Sequence, residues 1–90
     1  MDFSHTACLG GGVIGASWAA LFLASGRSVT LYDPAPDAER AVRDYIATAW
    51  PTLTELGLTT EGRPDAITFA QSAAEAVAGA GFVQENVPER

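Results

Sequence analysis

Apolar and polar residues follow one another in short segments whose spacing changes repeatedly between that of strands and that of helices. Residues 5–9 form a brief apolar run that stops at three consecutive glycines, the pattern of a strand followed by a tight turn. Residues 28–32 alternate and are rich in types that favour strands. Residues 66–69 and 81–84 are further short apolar runs. The pattern therefore predicts four strands.

Two longer helices are predicted after the first and second strands. Residues 13–25 carry apolar side chains on every side, which is typical of a buried helix, and Gly26 is well placed to end it. A second helix is predicted from about residues 36–37, with a single apolar stripe along one side. We expect Pro51 to end or kink that helix, because proline has no amide proton and its ring crowds the preceding turn.

A short third helix is predicted before the last strand. Ser72, with Glu75 three residues later, forms a capping-box pattern, and the alanine-rich segment that follows ends near Gly79. Alternating strands and helices predict an α/β fold, a partial doubly wound (Rossmann) parallel sheet of strand order 3-2-1-4 with helices on both faces. Four strands are little more than half of that fold. We therefore expect residues 1–90 to be the N-terminal portion of a larger dinucleotide-binding domain.

Composition and charge exclude several kinds of partner and site. The net charge is −6, there is no lysine, and the five arginines are scattered, so neither a nucleic-acid nor an anionic-membrane partner is expected. No apolar run approaches the roughly 20 residues that span a bilayer. A single cysteine excludes an internal disulfide framework and a cysteine-based zinc site, and no metal is expected. Cys8 is interpreted as a small buried apolar residue. These features favour a cytoplasmic protein.

The clearest candidate for chemistry is a G-x-G-x-x-G motif between the first strand and the first helix. Gly10 allows the tight turn, Gly12 lets the main chain approach a diphosphate, and Gly15 lets the helix pack closely on the first strand. Amides at the start of the helix, including those of Val13 and Ile14, would hold the phosphate oxygens. A plain glycine-rich turn is the alternative interpretation.

An acidic residue ends the second strand, 18 residues after Gly15. The carboxylate of Asp33 could accept hydrogen bonds from the hydroxyl groups of an adenosine ribose and would repel a 2′-phosphate. Residues 34–36 offer no cation to neutralise such a phosphate. The predicted cofactor is therefore NAD in preference to NADP, although Asp33 is also a typical turn residue before proline.

Three segments together resemble a known family: residues 8–20 (CLGGGVIGASWAA), 31–34 (LYDP) and 81–90 (GFVQENVPER). They resemble the N-terminal NAD-binding domain of the 3-hydroxyacyl-CoA dehydrogenase family. The last nine residues are most similar to the branch that includes L-carnitine dehydrogenase and the lambda-crystallin type of L-gulonate dehydrogenase. This resemblance covers the whole chain.

The resemblance implies an enzyme of fatty acid or related metabolism that transfers hydride between NAD and a 3-hydroxyacyl-CoA or related 3-hydroxy acid. By position, Glu85 and Glu89 match acidic residues that follow the fourth strand, and Glu89 matches one near the cofactor. The family's catalytic histidine belongs to segments beyond these 90 residues, and His5 is not its counterpart. We therefore expect no catalytic residue here, cofactor binding at best, and a homodimer formed through a helical C-terminal domain.

Three alternatives stay open on the sequence. A 3-hydroxyisobutyrate or 6-phosphogluconate type of dehydrogenase usually has methionine where this chain has Ile14. A methyltransferase usually has a G-x-G-x-G loop. A non-catalytic protein that keeps the dinucleotide fold for binding or structure, as crystallins of this branch do, is the alternative from a different functional class.

Overall fold

Strands and helices alternate along residues 4–86, the part of the chain that the computed structural model describes. The strands are β1 (His5–Leu9), β2 (Ser28–Tyr32), β3 (Ile67–Phe69) and β4 (Phe82–Glu85). The helices are α1 (Gly12–Ala24), α2 (Ala38–Glu55) and α3 (Ala73–Val77). All strand pairs are parallel, and the sheet order is β3-β2-β1-β4. The predicted Rossmann-like α/β fold and strand order are confirmed.

Strand β1 lies between β2 and β4, and the register aligns the carboxyl ends of the three strands. Leu9 is opposite Tyr32 on one side and opposite Glu85 on the other. Whatever follows these strands is therefore brought to one edge of the sheet. In open parallel sheets this is the edge at which ligands bind, where the strand order reverses between β1 and β4.

Helices cover both faces of the sheet. The chain moves in one direction from β1 to β3 and then returns to β4, so right-handed crossovers place α1 and α2 on one face and α3 on the other. Helices α1 and α2 pack on each other, whereas α3 packs on β1 and β2. The core on the α1–α2 side consists of buried side chains from sheet and helices: Cys8, Ala16, Ala19, Ala20, Leu23, Val29, Leu31, Val42, Ile46 and Ile67.

Helix α1 is buried on one side only, so the prediction of a helix buried all round was wrong. Its alanines and Leu23 face the sheet, whereas Val13 and Ile14 are 72% and 68% exposed. Leu21 is also exposed. The apolar residues around a helix show that each could be buried, but only the packing of the neighbouring elements decides which side is covered.

Helix α2 continues past Pro51 to Glu55, so of the two predicted effects of Pro51, a helix end or a kink, the helix end was wrong. The helix is terminated instead by Gly57, which lies two residues beyond Glu55 and has a φ of +74°. Gly57 N–H donates to Thr54 O, and Leu58 N–H donates to Leu53 O. These two bonds form a Schellman motif, which satisfies the last carbonyls of a helix and favours glycine. Pro51 lies on the exposed side, while the helix around it packs on the core.

The short helix α3 begins as predicted from Ser72. The Ser72 side-chain oxygen accepts a hydrogen bond from Glu75 N–H at 3.1 Å, the first half of a capping box. The edge strand β4 is more exposed than its apolar sequence predicts. Its residues Phe82 and Val83 are each 41% exposed. Strand β1, by contrast, is buried at Thr6, Ala7 and Cys8, as expected of a strand covered on both faces.

Candidate cofactor site

The glycine loop joins the carboxyl end of β1 to the start of α1, at the predicted strand–helix junction. Gly10 has a φ of +98°, a conformation that L side chains rarely adopt. Its N–H donates to Tyr32 O at 2.8 Å, which carries the β1–β2 pairing into the loop. A glycine is therefore required where the main chain leaves the sheet.

Two close contacts explain why glycine is needed at positions 10 and 15. A Cβ on Gly15 would collide with the Gly10 carbonyl, and a Cβ on Gly10 would collide with the Asn86 carbonyl. The close approach predicted for Gly15 is thus present, against the end of β1 rather than its middle. Among residues 4–86, no atom lies within 4 Å of the position that a Gly12 Cβ would take, so no described residue fills this space.

Helix α1 begins without a side-chain cap. Gly11 is the N-cap residue, no side chain accepts from the first turn, and no acidic residue lies there. The amides of Gly12, Val13 and Ile14 have no acceptor within the helix, as for the first turn of any α-helix. Together with the partial positive charge of the helix, they form an arrangement suited to phosphate oxygens.

The carboxylate of Asp33 points towards the glycine loop. Its Oδ2 accepts from Gly11 N–H at 2.6 Å, and its Oδ1 accepts from Ala35 N–H at 2.8 Å. These bonds fix the carboxylate between the end of β2 and the start of α1. A carboxylate has about four acceptor positions, so two of them remain for ligand hydroxyl groups.

A cleft of about 440 Å³ opens beside Asp33. One wall follows the end of β2, another the start of α2, and the third the end of β3. Its lining residues are Leu31, Tyr32, Asp33, Pro34, Ala35, Pro36, Ala38, Glu39, Phe69, Ala70 and Gln71. The apolar residues and the aromatic residues Tyr32 and Phe69 suit a flat heterocycle, and the carboxylates suit hydroxyl groups.

The opposite side of the loop is closed by the end of β4. Asn86 N–H donates to Leu9 O at 2.7 Å, and Asn86 Nδ2 donates to Gly10 O at 3.4 Å. Glu85 is the last residue of β4, exposed and paired with Leu9, and not a residue after the strand as expected. Glu89, the other predicted acidic residue, lies outside the described residues.

Asn86 is the residue that the sequence reasoning did not single out. Its backbone and side chain both contact the glycine loop, and it stands next to Glu85 at the same edge. An amide immediately after the fourth strand was the available signal. Its importance became visible only when β4 was paired with β1.

His5 and Cys8 are two further titratable side chains of the sheet. His5 begins β1 at the opposite end of the sheet, where its ring contacts Ser28 Oγ at 2.6 Å and Thr30 Oγ1 at 3.1 Å. Burial raises the pKa of the Cys8 thiol from 9.0 to about 11, so the thiol stays protonated at neutral pH. Within residues 4–86, no cluster of three or more potential ligands could hold a metal ion, and no helix has the length and apolar character to span a bilayer.

Comparisons with known proteins agree with this geometry. Residues 5–90 match the NAD-binding domain of 3-hydroxyacyl-CoA dehydrogenase. An L-carnitine dehydrogenase of Streptomyces coelicolor is 52% identical over 86 residues, which are 96% of this chain and 27% of that protein. An L-carnitine dehydrogenase/betainyl-CoA thioesterase of Agrobacterium fabrum is 46% identical over 84 residues, which are 93% of this chain and 17% of that protein. The chain thus spans about a quarter or less of the length of these relatives.

Two solved structures superpose closely on this chain. An NAD⁺-dependent dismutase, 5-formyl-3-hydroxy-2-methylpyridine 4-carboxylic acid 5-dehydrogenase, superposes with a TM-score of 0.80 at 34% identity. The match covers 99% of this chain and 29% of the other. A diketoreductase superposes with a TM-score of 0.81 at 26% identity, covering 100% and 34% of the two chains. With a family match over residues 5–90, a sheet of order 3-2-1-4 and a glycine loop closed by Asp33, this chain belongs to the NAD-binding domain family of the 3-hydroxyacyl-CoA dehydrogenases.

Proposed function

We propose that this chain is the NAD-binding part of an oxidoreductase that transfers hydride between NAD and a 3-hydroxy acid or its coenzyme A thioester. The observation that carries the proposal is the bond from Gly11 N–H to the Asp33 carboxylate. It places a ribose-binding acid directly beside an uncapped helix start, which is the pairing that dinucleotide recognition needs.

The two halves of the cofactor would lie on opposite sides of the glycine loop. Gly10, Gly12 and Gly15 would give the diphosphate access to the main chain, and the amides of Val13 and Ile14 would donate to it. The exposed side chains of Val13 and Ile14 would cover its apolar edges. Asp33 would bind the adenosine ribose, with adenine in the neighbouring cleft. NAD supplies the hydride acceptor when it is bound.

The nicotinamide side is assigned to the end of β4. Glu85 stands there beside Asn86, on the edge where the strand order reverses, and Glu89 is proposed by its position in the chain. Asn86 holds Gly10 in place and would act as a positioning residue. None of these groups is proposed as the general base, since the chain holds no histidine at this edge.

For the substrate, L-carnitine is the first compound to test. It is a 3-hydroxy acid, and the relatives of 46–52% identity are named for acting on it. A role in fatty acid metabolism would follow if coenzyme A thioesters proved to be the better substrates. A cytoplasmic location and a homodimer formed by a helical domain outside these residues complete the proposal.

The test is turnover by the full-length natural protein. NADH formation is followed with L-carnitine, 3-hydroxybutyrate and a 3-hydroxyacyl-CoA thioester, each with NAD or NADP. We expect NAD-dependent oxidation of at least one of them and little activity with NADP. A Gly12→Val variant, whose side chain would fill the open space above the helix start, serves as the inactive control.

A non-catalytic binding module is the second candidate, because the groups seen at the glycine loop, main-chain amides and the Asp33 carboxylate, are groups that bind a cofactor. NAD binding without turnover of any of the three compounds would support it. Failure to bind NAD at all would contradict both candidates.

A further inference from the structure

The cleft beside Asp33 is lined by a second carboxylate. Glu39 lies in the first turn of α2 and lines the cleft. Its Oε2 accepts from Arg43 Nε at 3.1 Å, one turn further along the helix. Asp33 and Glu39 therefore bring two acidic groups to the same cavity.

The guanidinium that Glu39 binds lies beside the cleft, where it contacts a second lining residue. Arg43 Cζ lies 4.9 Å from the centre of the Phe69 ring, and Phe69 lines the cleft from the β3 side. A guanidinium over an aromatic face is held in place by the ring quadrupole. Arg43 does not line the cleft itself, but it is held next to it by two residues that do, a ring and a carboxylate.

A fixed arginine at the adenosine end of a dinucleotide site would normally attract a phosphate monoester, because guanidinium and phosphate match in charge and geometry. In this cleft the attraction is opposed by Glu39, which neutralises Arg43 directly. The ion pair leaves Asp33 as the uncompensated charge. The net charge of Asp33, Glu39 and Arg43 together is therefore negative.

We propose that Glu39 is a second determinant of cofactor specificity, which keeps Arg43 from accepting the 2′-phosphate of NADP. The inference rests on the proposed NAD site and deepens it. Asp33 discriminates by binding the ribose hydroxyls, whereas Glu39 discriminates by neutralising a neighbouring cation. Arg43 is thus a potential phosphate-binding group beside the cleft, whose charge Glu39 neutralises.

The test compares dissociation constants for NAD and NADP, measured by isothermal titration calorimetry on the full-length natural protein. Glu39→Gln keeps the shape of the side chain and removes its charge. We expect the ratio of the two constants to shift towards NADP by roughly 3- to 10-fold, since both partners of the pair are partly exposed to solvent. The shift should shrink as salt is added.

Asp37→Asn is the matched control. It removes the same charge two residues away and releases Arg40 from a 3.8 Å ion pair. Neither residue of that pair lines the cleft, whereas Glu39 does and its partner Arg43 contacts the lining residue Phe69. An equal shift in this variant would mean that net charge alone is responsible and would overturn the proposal. The double variant Glu39→Gln/Arg43→Ala should lose the shift, because the cation that produces it is gone.

A purely structural role for Glu39 gives a different result. Loss of a favourable acid from the first turn of α2 would lower the melting temperature and weaken both cofactors in the same proportion, leaving their ratio unchanged. That outcome contradicts the inference while the NAD site stands. Absence of NAD binding in the unmodified protein would instead contradict the proposed function.

Discussion

The Asp33 carboxylate and the Gly11 amide are joined by a 2.6 Å hydrogen bond across the space between β2 and α1. This bond connects the proposed ribose-binding residue to the loop that is proposed to bind the diphosphate. A substitution at Asp33 therefore also removes a hydrogen bond that holds the glycine loop.

Replacing Asp33 with alanine should weaken NAD binding by about 10- to 100-fold, the effect of losing charge-assisted hydrogen bonds worth about 1.5–3 kcal/mol. NADP binding should fall less, because the same change removes repulsion from the 2′-phosphate. Calorimetric titration of both cofactors measures the difference. Equal losses would argue that Asp33 serves the loop alone.

Glycines 12 and 57 offer a matched pair with positive φ, +68° and +74°, and open space at the Cβ position. An alanine at either position should cost about 1 kcal/mol of folding stability, from the strained conformation alone. Only Gly12→Ala should also abolish tight NAD binding, since its methyl group would occupy the space beside the helix start. Urea unfolding and NAD titration separate the two effects. Similar NAD affinities in the two variants would contradict the assignment of Gly12.

The Cys8 thiol gives a pH-dependent contribution to stability. Its pKa is raised by burial from 9.0 to about 11, so the unfolded chain loses the thiol proton at lower pH than the folded chain does. The contribution is complete below about pH 9 and declines as the pH rises towards about 11. In urea unfolding, the natural chain should lose about 1–2 kcal/mol more than Cys8→Ala does over this range. Parallel losses would show that the thiol does not contribute.

Pro51 lies within α2 and lacks the amide proton that would bond to the carbonyl four residues earlier. Pro51→Ala should therefore raise the free energy of unfolding by about 1–2 kcal/mol, after allowance for the more flexible unfolded chain. Thr52→Ala is the control, because Thr52 is an exposed neighbour that already has its amide proton. An equal gain in both variants would mean that helix propensity alone explains the effect. NAD affinity should stay the same in both.

Local rules were sufficient for the strands and the glycine loop, because each depends on residues close together in the chain. The strand order followed from the alternation of strands and helices, which is typical of the doubly wound fold. The position of Asp33 beside the loop was also predictable, since it follows the strand next to the loop. Pro51 misled the prediction because a proline is a local signal, whereas α2 is stabilised by packing of residues on both sides of it. The end of α2 also has a local signal in the sequence, the glycine at position 57 that follows the helix.

The contributions of Asn86 and Arg43 depend on pairings between distant segments. Asn86 meets Gly10 only through the β1–β4 pairing, across 76 positions of the chain. Arg43 meets Phe69 only because the fold brings α2 and the end of β3 together. Residues 34–36 correctly showed no cation in sequence, yet the fold brings one beside the cleft, against the lining residues Glu39 and Phe69. No spacing rule along one segment could reveal these contacts.

The central place of β1 in the sheet has a consequence for the order of folding. Strand β1 can pair with β2 across a connection of one helix, but its other partner, β4, comes last in the described chain. Closing the longer loop costs more entropy, so this pairing is expected to form late. Gly10 is held from that side by Asn86, so the ability to accept a nucleotide should appear after most of the hydrophobic core has assembled.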